Sequence, residues 1–221
     1  MGVMNRFMSG IAFSAAIVTG AALGLASTQA KANLISDGDF SLPNQGGGWS
    51  IYSPGTNGWV NTNNDGVEIG TSPIYGLPCA NAACQQLEVN ANTFDTDGQS
   101  VSGLTVHQAY TLSWLYGGRT SGGPDFLNVY FGGQFLTQDS NSIGFWTLNS
   151  FTIVATSTTE DLIFSSVTTN GDPSFGNEIT NVSLNATPLP STWTMLIAGF
   201  IGLGFLAYRG TKKGSAAIAA A

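Results

Sequence analysis

The middle of the chain alternates apolar and polar residues with a period of two, the pattern of a β-strand with one buried face. The clearest runs are residues 110–116, 127–131 and 151–155, and shorter candidates are residues 67–69, 86–89, 162–164 and 179–184. Glycine-rich, Asn-Gly and Asp-Gly turn signals separate these runs, and no helical period appears between Asn33 and Thr187. Short strands at this spacing predict an all-β fold, a single antiparallel β-sandwich or jelly roll over residues 33–187.

The first 32 residues have the three parts of a secretory signal peptide. Arg6 supplies the positive start, an apolar stretch follows over residues 7–25, and Ala30-Lys31-Ala32 has the small-x-small pattern of a cleavage site. We predict that residues 1–32 form a signal-peptide helix that is removed after Ala32. A retained membrane anchor is the alternative.

The C-terminal region contains a second apolar stretch, residues 193–208, which carries no charge and has an aromatic residue at each end. Pro188 and Pro190 precede the stretch and break any earlier strand or helix. A basic cluster follows it, formed by Arg209, Lys212 and Lys213. We predict a transmembrane helix over about 193–208, with the basic cluster on the cytoplasmic side.

Residues 188–221 resemble the PEP-CTERM sorting tag of bacterial surface proteins, which combines a Pro-x-Pro motif, a short glycine-rich apolar helix and a basic cluster. The resemblance implies recognition and processing by an exosortase, a membrane cysteine transpeptidase. Leu189 stands where the tag has its Glu, and an alanine-rich tail follows the basic residues. Both departures bear on cleavage more than on membrane insertion, and an ordinary tail anchor is the alternative.

Several short segments of the middle part resemble galactose-binding-type jelly rolls of the carbohydrate-binding-module class. They are the opening Asn33–Phe40 (NLISDGDF), which looks like the first strand of those domains, Tyr110–Ser113 (YTLS) and the closing Ile179–Leu184 (ITNVSL). The resemblance implies the jelly-roll fold. It leaves the ligand open, because this fold hosts many functions.

The related jelly rolls often hold a structural calcium ion near the first and last strands. The resemblance places such a Ca²⁺ site here on Asp37, Asp39 and Glu178, whose carboxylates are the hard oxygen ligands that calcium prefers. Thr180 stands where the family has a closing-strand Asp, and Asp95-Thr96-Asp97-Gly98 is a fragment of a calcium loop. Solvated surface acids are the alternative.

The charges of the chain are distributed unevenly. All 13 acidic residues lie between Asp37 and Glu178, whereas Arg119 is the one Lys or Arg among residues 33–187, which gives this part a formal charge of −12. So acidic a surface repels phosphate backbones and excludes nucleic acid as an expected partner. It suits cation binding or solubility outside the cell. We expect Arg119 to pair with a neighbouring acid, and contact with a ligand is the alternative.

The two cysteines, Cys79 and Cys84, enclose four residues, and in an exported protein this spacing predicts a disulfide.

Catalytic motifs are missing from the sequence: there is one His, no nucleophile elbow and no phosphate-binding glycine motif. A carboxylate pair could hydrolyse glycosides, but no pair lies in a recognisable motif. We therefore expect a protein that is not an enzyme.

Sugar binding requires exposed aromatic rings flanked by polar groups. Four aromatic residues lie in loop-like sequence rich in Gly, Asn and Pro, and we identify them as candidate ligand contacts: Trp49, Tyr52, Trp59 and Tyr75. Packing against the core is the alternative for each of them. Trp114 and Trp146 lie in strand-like runs and are expected in the core.

Together these features predict a non-enzymatic, exported bacterial protein of the extracellular matrix or cell surface, anchored at the envelope membrane or released to the surface after tag processing. Its expected partners are the membrane, an exosortase-like enzyme and an exopolysaccharide. A purely structural surface protein is the main alternative, and a surface glycosidase is a further one.

Overall fold

The computed structural model describes residues 33–63, 65–121, 125–140, 143–167, 173, 176–187 and 191–218, with the side chains of the last segment given for residues 195–209. The predicted signal peptide, residues 1–32, lies outside the described residues. The same holds for Pro188 and Pro190 of the predicted sorting signal, and for the side chains of Lys212 and Lys213.

The described residues between 33 and 187 form strands and one short 3-10 turn at Thr56–Gly58. The strands are β1 (Trp49–Tyr52), β2 (Val60–Asn61), β3 (Val67–Thr71), β4 (Gln85–Glu88), β5 (Thr96–Ser102), β6 (Ala109–Gly118), β7 (Phe126–Phe131), β8 (Gln134–Ser140), β9 (Thr147–Val154), β10 (Thr159–Val167) and β11 (Asn177–Ala186).

These strands form two antiparallel sheets. The six-stranded sheet has the order β1-β3-β4-β11-β6-β9, and the five-stranded sheet has the order β2-β5-β10-β7-β8. The chain changes sheet at every connection between consecutive strands except β3 to β4 and β7 to β8. The prediction of an all-β antiparallel sandwich is confirmed.

The core lies between the sheets and is built from the inward positions of the alternating strands. Leu112 and Trp114 of β6 face Leu127 and Phe164 of the other sheet, and all four are fully buried. The Trp114 ring lies edge-on to Phe164 at 5.7 Å between centroids, and its indole N–H donates to Asp139 Oδ2 at 2.7 Å. Burying the indole with its N–H satisfied avoids the cost of an orphaned donor.

Each predicted run corresponds to an observed strand: β3, β4, β6, β7, β9, β10 and β11. The opening segment resembling a first strand is the exception, because Asn33–Phe40 forms bends and turns. Asp37 and Phe40 have φ values of 44° and 53°, which interrupt an extended backbone. The segment still lies beside β11, where Leu34 N–H donates to Leu184 O at 3.0 Å and Val182 N–H donates to Gly38 O at 2.8 Å.

A helix, α1 (Ser191–Ile218), follows the sandwich; it includes residues 193–208 and extends beyond them at both ends. Its described apolar side chains are largely exposed, and Arg209 of the predicted basic cluster lies 5.6 Å from the centre of the Phe205 ring. Contrary to the transmembrane segment predicted there, no helix among the described residues is both long enough and apolar enough to cross a membrane.

Candidate functional site

The outer face of the five-stranded sheet carries a continuous row of residues that crosses every strand. We call it the five-strand row; its members are consecutive register partners on β2, β5, β10, β7 and β8, namely Val60, Gly98, Ile163, Tyr130 and Phe135. Their strand neighbours Leu162 and Val129 are fully buried, so alternation places the row on the solvent side. Val60 and Phe135 are 49% and 57% exposed.

The aromatic end of the row is set by the hairpin between β7 and β8. Gly132 and Gly133 form its turn with φ values of 55° and 76°, a conformation that glycine adopts without strain. The register shifts by one residue beside Tyr130, so that Leu136 packs against the core while Phe135 stays opposite Tyr130 on the outer face. The two rings lie 5.6 Å apart between centroids, tilted by 65°.

Polar side chains border the row on both sides. One border consists of the register partners Thr96, Ser165, Asn128 and Gln138. Within it the Thr96 and Ser165 hydroxyls lie 2.8 Å apart, and Gln138 Nε2 donates to Asn128 Oδ1 at 2.9 Å. The other half of each amide, Asn128 Nδ2 and Gln138 Oε1, is not used in this bond. The opposite border contains the exposed partners Ser100 and Asp161.

A shallow depression of about 180 Å³ lies in the row at Gly98, between Val60 and Ile163. The glycine is required by packing, because a Cβ atom there would lie 2.7 Å from the carbonyl oxygen of Leu162. A larger residue would therefore both strain the sheet and fill the depression. The outer face of the five-stranded sheet therefore has aromatic rings at one end of the row, a depression at Gly98 and hydrogen-bonding side chains on both sides of the row.

Two of the four aromatic residues predicted to contact a ligand are not at the surface. Trp59 is 1% exposed, and its indole N–H donates to the carbonyl oxygens of Ser36 and Asp37 at 3.1 and 3.3 Å. Tyr75 is 2% exposed; its hydroxyl donates to Glu68. The loop-like sequence around both rings folds back over the sandwich. The prediction that Trp59 and Tyr75 are exposed is therefore wrong.

The other two predicted aromatic residues lie on β1, the edge of the six-stranded sheet. Trp49 is 53% exposed, whereas Tyr52 is partly buried and donates its hydroxyl hydrogen to Gln45 Oε1. Neither belongs to the five-strand row. The sequence analysis did not identify Phe135, which lies in a strand without clear alternation, or Tyr130, which lies on the outward face of the predicted run 127–131. Trp146, which was expected in the core, is partly buried and donates its indole N–H to Pro78 O at 2.7 Å.

The predicted calcium ligands are not brought together. Asp37 and Asp39 line a depression of about 420 Å³ beside Asn181, whereas Glu178 is fully buried on β11 opposite Glu88. Asp37 accepts from Leu42 N–H at 3.2 Å and Asn57 Nδ2 at 3.1 Å, and its partial burial raises its pKa to about 6. In the part of the chain that the structure describes, no three acidic, His or Cys side chains are grouped so as to hold a metal ion.

Glu178 belongs instead to a buried acidic cluster on the outer side of the six-stranded sheet. Glu68, Glu88 and Glu178 are register partners on β3, β4 and β11 and are at most 4% exposed. Burial raises the pKa of each carboxyl group, to about 9 for Glu88, against the lowering effect of Arg119. Arg119 Nη1 donates to Glu88 Oε1 at 2.9 Å, which confirms the expected pairing of this residue.

The loop between β3 and β4 covers this cluster. The predicted disulfide between Cys79 and Cys84 is confirmed and closes the C-terminal half of the loop. Tyr75 packs over Gly70, where a Cβ atom would lie 2.2 Å from its ring, and beneath the Arg119 guanidinium, 4.1 Å from the ring centroid. The cluster is therefore part of the packed structure and has no open path to a ligand through this loop.

Comparison with known proteins gives resemblance at the level of structure only. No protein-family model and no curated protein matches the chain. Similar solved structures include the xylan-binding domain CBM22-1 of Paenibacillus barcinonensis Xyn10C, at 10% identity and a TM-score of 0.45, covering 65% of this chain and 98% of that one.

Two further solved structures are similar to the chain. A family 35 carbohydrate-binding module from Clostridium thermocellum has 11% identity and a TM-score of 0.39, covering 62% of this chain and 95% of that one. The C-terminal domain of EclA, a sugar-binding protein, has 16% identity and a TM-score of 0.35, with 39% of this chain covered. The chain spans 64% of the length of that EclA structure. At these TM-scores the function has to be argued from the residues of the chain itself.

Proposed function

We propose that the protein binds a polysaccharide through the outer face of its five-stranded sheet and does not cleave it. The observation that carries the proposal is the five-strand row, an apolar and aromatic line on the outer face of the sheet with hydrogen-bonding side chains on either side. Its two ends, Val60 and Phe135, are exposed. Sugar rings present apolar C–H faces and hydroxyl edges, so they need this combination of a ring surface and flanking polar groups.

An extended ligand fits this face better than a single small molecule. Strands lie about 4.8 Å apart, so the five-strand row extends over roughly 19 Å. The depression at Gly98 is shallow, whereas small-molecule sites enclose most of their ligand. A linear glycan crossing the strands would contact the recess and the aromatic end together.

The charges near the row favour a neutral glycan and binding over hydrolysis. Asp161 is the one ionisable carboxylate among the row and its border residues, whereas glycoside hydrolysis uses a facing pair of carboxyl groups. No border or row residue is basic, so a strongly anionic polysaccharide would find no counter-charge there.

The proposal is tested by replacing Phe135 with Ala and measuring binding to neutral and acidic glycans by array and affinity electrophoresis. We expect Phe135→Ala to weaken binding to a neutral glycan at least about tenfold, the order of loss for an aromatic anchor. Phe145→Ala is the matched control, because Phe145 is 54% exposed but lies outside the row.

Two outcomes would overturn the assignment. Loss of binding in Trp49→Ala with no change in Phe135→Ala would move the site to β1 of the other sheet. No binding to any glycan by the folded protein would favour the purely structural role.

The same proposal includes export and retention at the cell envelope. Residues 1–32 supply the signal-peptide pattern, and the Cys79–Cys84 disulfide fits an oxidising compartment. Residues 188–221 supply a sorting segment that an exosortase-like enzyme would process. We expect a chain truncated after Thr187 to move from the envelope fraction to the culture medium, as cell fractionation would show. Unchanged retention would remove the sorting role from residues 188–221.

A further inference from the structure

Four oxygen-bearing side chains lie near the corner of the sandwich where β2 pairs with β5. Asn61 of β2 and Asp97 of β5 are register partners and are 7% and 1% exposed. Asp95 immediately precedes β5, two positions from Asp97, and is 3% exposed. Asp65, which precedes β3, lies at the more open side of this corner. Asp97 is also the register partner of core residue Phe164, so this corner points into the sandwich.

Each carboxylate here has an oxygen that the described residues leave without a hydrogen-bond partner. Asp95 Oδ1 accepts from Thr62 Oγ1 at 2.8 Å and from Thr96 N–H at 2.6 Å, while Asp95 Oδ2 is buried and unpartnered. Asp65 repeats this pattern, with Oδ2 bound to Thr93 Oγ1 at 2.9 Å and Oδ1 unpartnered. Hydrogen bonds on one oxygen orient the Asp95 and Asp65 carboxylates, and their second oxygens receive no hydrogen bond from a described donor.

The register partners Asn61 and Asp97 give independent evidence that a ligand is missing at this corner. Asp97 Oδ1 and both amide atoms of Asn61 have no hydrogen-bond partner among the described residues. An unsatisfied buried polar group costs about 1–3 kcal/mol, so several of them at one corner need a compensating partner.

No basic side chain compensates these acids. Arg119, the one Lys or Arg of residues 33–187, is bound to Glu88 in the other sheet. Burial, followed by the charge of Asp95, raises the pKa of Asp97 well above its usual range. The Asn61 amide lowers this pKa in part, although its geometry falls short of a hydrogen bond.

We propose that Asn61, Asp95 and Asp97 bind a divalent cation of the calcium class at this corner. The set combines two buried carboxylates with an amide oxygen, which are the ligand types that Ca²⁺ takes, with water able to fill further positions. Only two of these ligands are acidic. The proposed site is therefore compatible with the finding that no three acidic, His or Cys side chains in the described part of the chain are grouped so as to hold a metal ion. The resemblance-based set of Asp37, Asp39 and Glu178 is a different location.

The test is calcium binding by the purified chain after chelator treatment, followed by isothermal titration calorimetry and by thermal unfolding with and without Ca²⁺. We expect saturable binding with a Kd of about 1 mM or tighter, the range of extracellular calcium modules, and a rise in Tm. Asp97→Asn and Asp95→Asn should each weaken binding at least about tenfold. Asp161→Asn, an exposed acid on the outer face, and Asp37→Asn should leave it unchanged.

Asn61→Asp provides a second variant that gains rather than loses a ligand charge. We expect it to bind Ca²⁺ more tightly than the wild type and to have a lower Tm in chelator, because a third acid is then buried at the corner. No saturable binding by the wild-type chain would overturn the proposal. So would binding that Asp37→Asn abolishes while Asp95→Asn and Asp97→Asn retain it, or an Asn61→Asp variant that binds no more tightly.

Discussion

The outer face of the five-stranded sheet is open to solvent, whereas that of the six-stranded sheet is covered across β3 and β4 by the loop that joins them. The open face presents apolar and aromatic residues in the five-strand row. At the equivalent outward positions the covered face has the carboxyl groups of Glu68, Glu88 and Glu178. One sheet therefore exposes apolar side chains and the other buries charged ones.

The cover also explains residues that a half-exposed strand would not need. Glycine is required at two positions that the loop covers. A Cβ atom at Gly117 would lie 2.8 Å from Leu77, and a Cβ atom at Gly70 would contact the Tyr75 ring. Leu77 and Tyr75 are at most 2% exposed. Burial in this fold is therefore decided by the connecting loops as much as by strand alternation.

Among single substitutions, the clearest difference in stability between the two faces is expected from Arg119→Met. Arg119 donates to the buried Glu88 carboxyl group and lies over the Tyr75 ring, so removing its guanidinium should lower the free energy of unfolding by about 1–3 kcal/mol, the usual cost of leaving a buried polar group without its partner. Gln138→Met on the open face is the control and should change it by less than about 0.5 kcal/mol. Urea unfolding measures both. Equal effects would mean that the two faces do not differ in this way.

The difference between the two faces also predicts a dependence of stability on pH. Because the folded state raises the pKa values of Glu68, Glu88 and Glu178, it retains protons that the unfolded chain releases above the ordinary value of 4.5. The stabilisation from these groups is complete below that value and is lost as the pH rises towards about 9, where Glu88 titrates. We therefore expect stability to fall with rising pH across this range.

Glu178→Gln should reduce this slope, by up to about 1.4 kcal/mol per pH unit for one proton. Asp161→Asn, on the open face, should keep the wild-type slope. The measurement is urea unfolding at several pH values between 5 and 9. A wild-type stability that rises over this range would contradict the account, and so would an unchanged slope in Glu178→Gln.

The strands could be predicted from the sequence wherever apolar and polar residues alternate clearly. The candidate binding face could not be predicted in this way. β6 and β7 place large apolar residues at every inward position, so period-two patterning revealed them. β5 was missed because its inward residues include Asp97 and Gln99, which hide the pattern. The five-strand row depends on the registers of five strands that are distant in sequence, and no local pattern encodes those registers.

The errors over Trp59 and Tyr75 have a related cause. Gly, Asn and Pro neighbours correctly indicated loops, but loop sequence does not determine whether the loop projects into solvent or folds back onto a sheet. Trp59 lies 5.0 Å from Phe40 between ring centroids and is absorbed into the core. Exposure of an aromatic ring therefore had to be read from the tertiary structure.

Alternation along β2 and β5 places Asn61 and Asp97 on the inner side of the sheet, directly next to Val60 and Gly98 on the outer side. An ion held on one side and a glycan held on the other would share the same two stretches of backbone. Their affinities would then be linked: any factor by which the ion tightens glycan binding is, by thermodynamic reciprocity, the factor by which the glycan tightens ion binding. A thin two-strand edge would in this way let the ionic composition of the surroundings set how firmly the protein adheres.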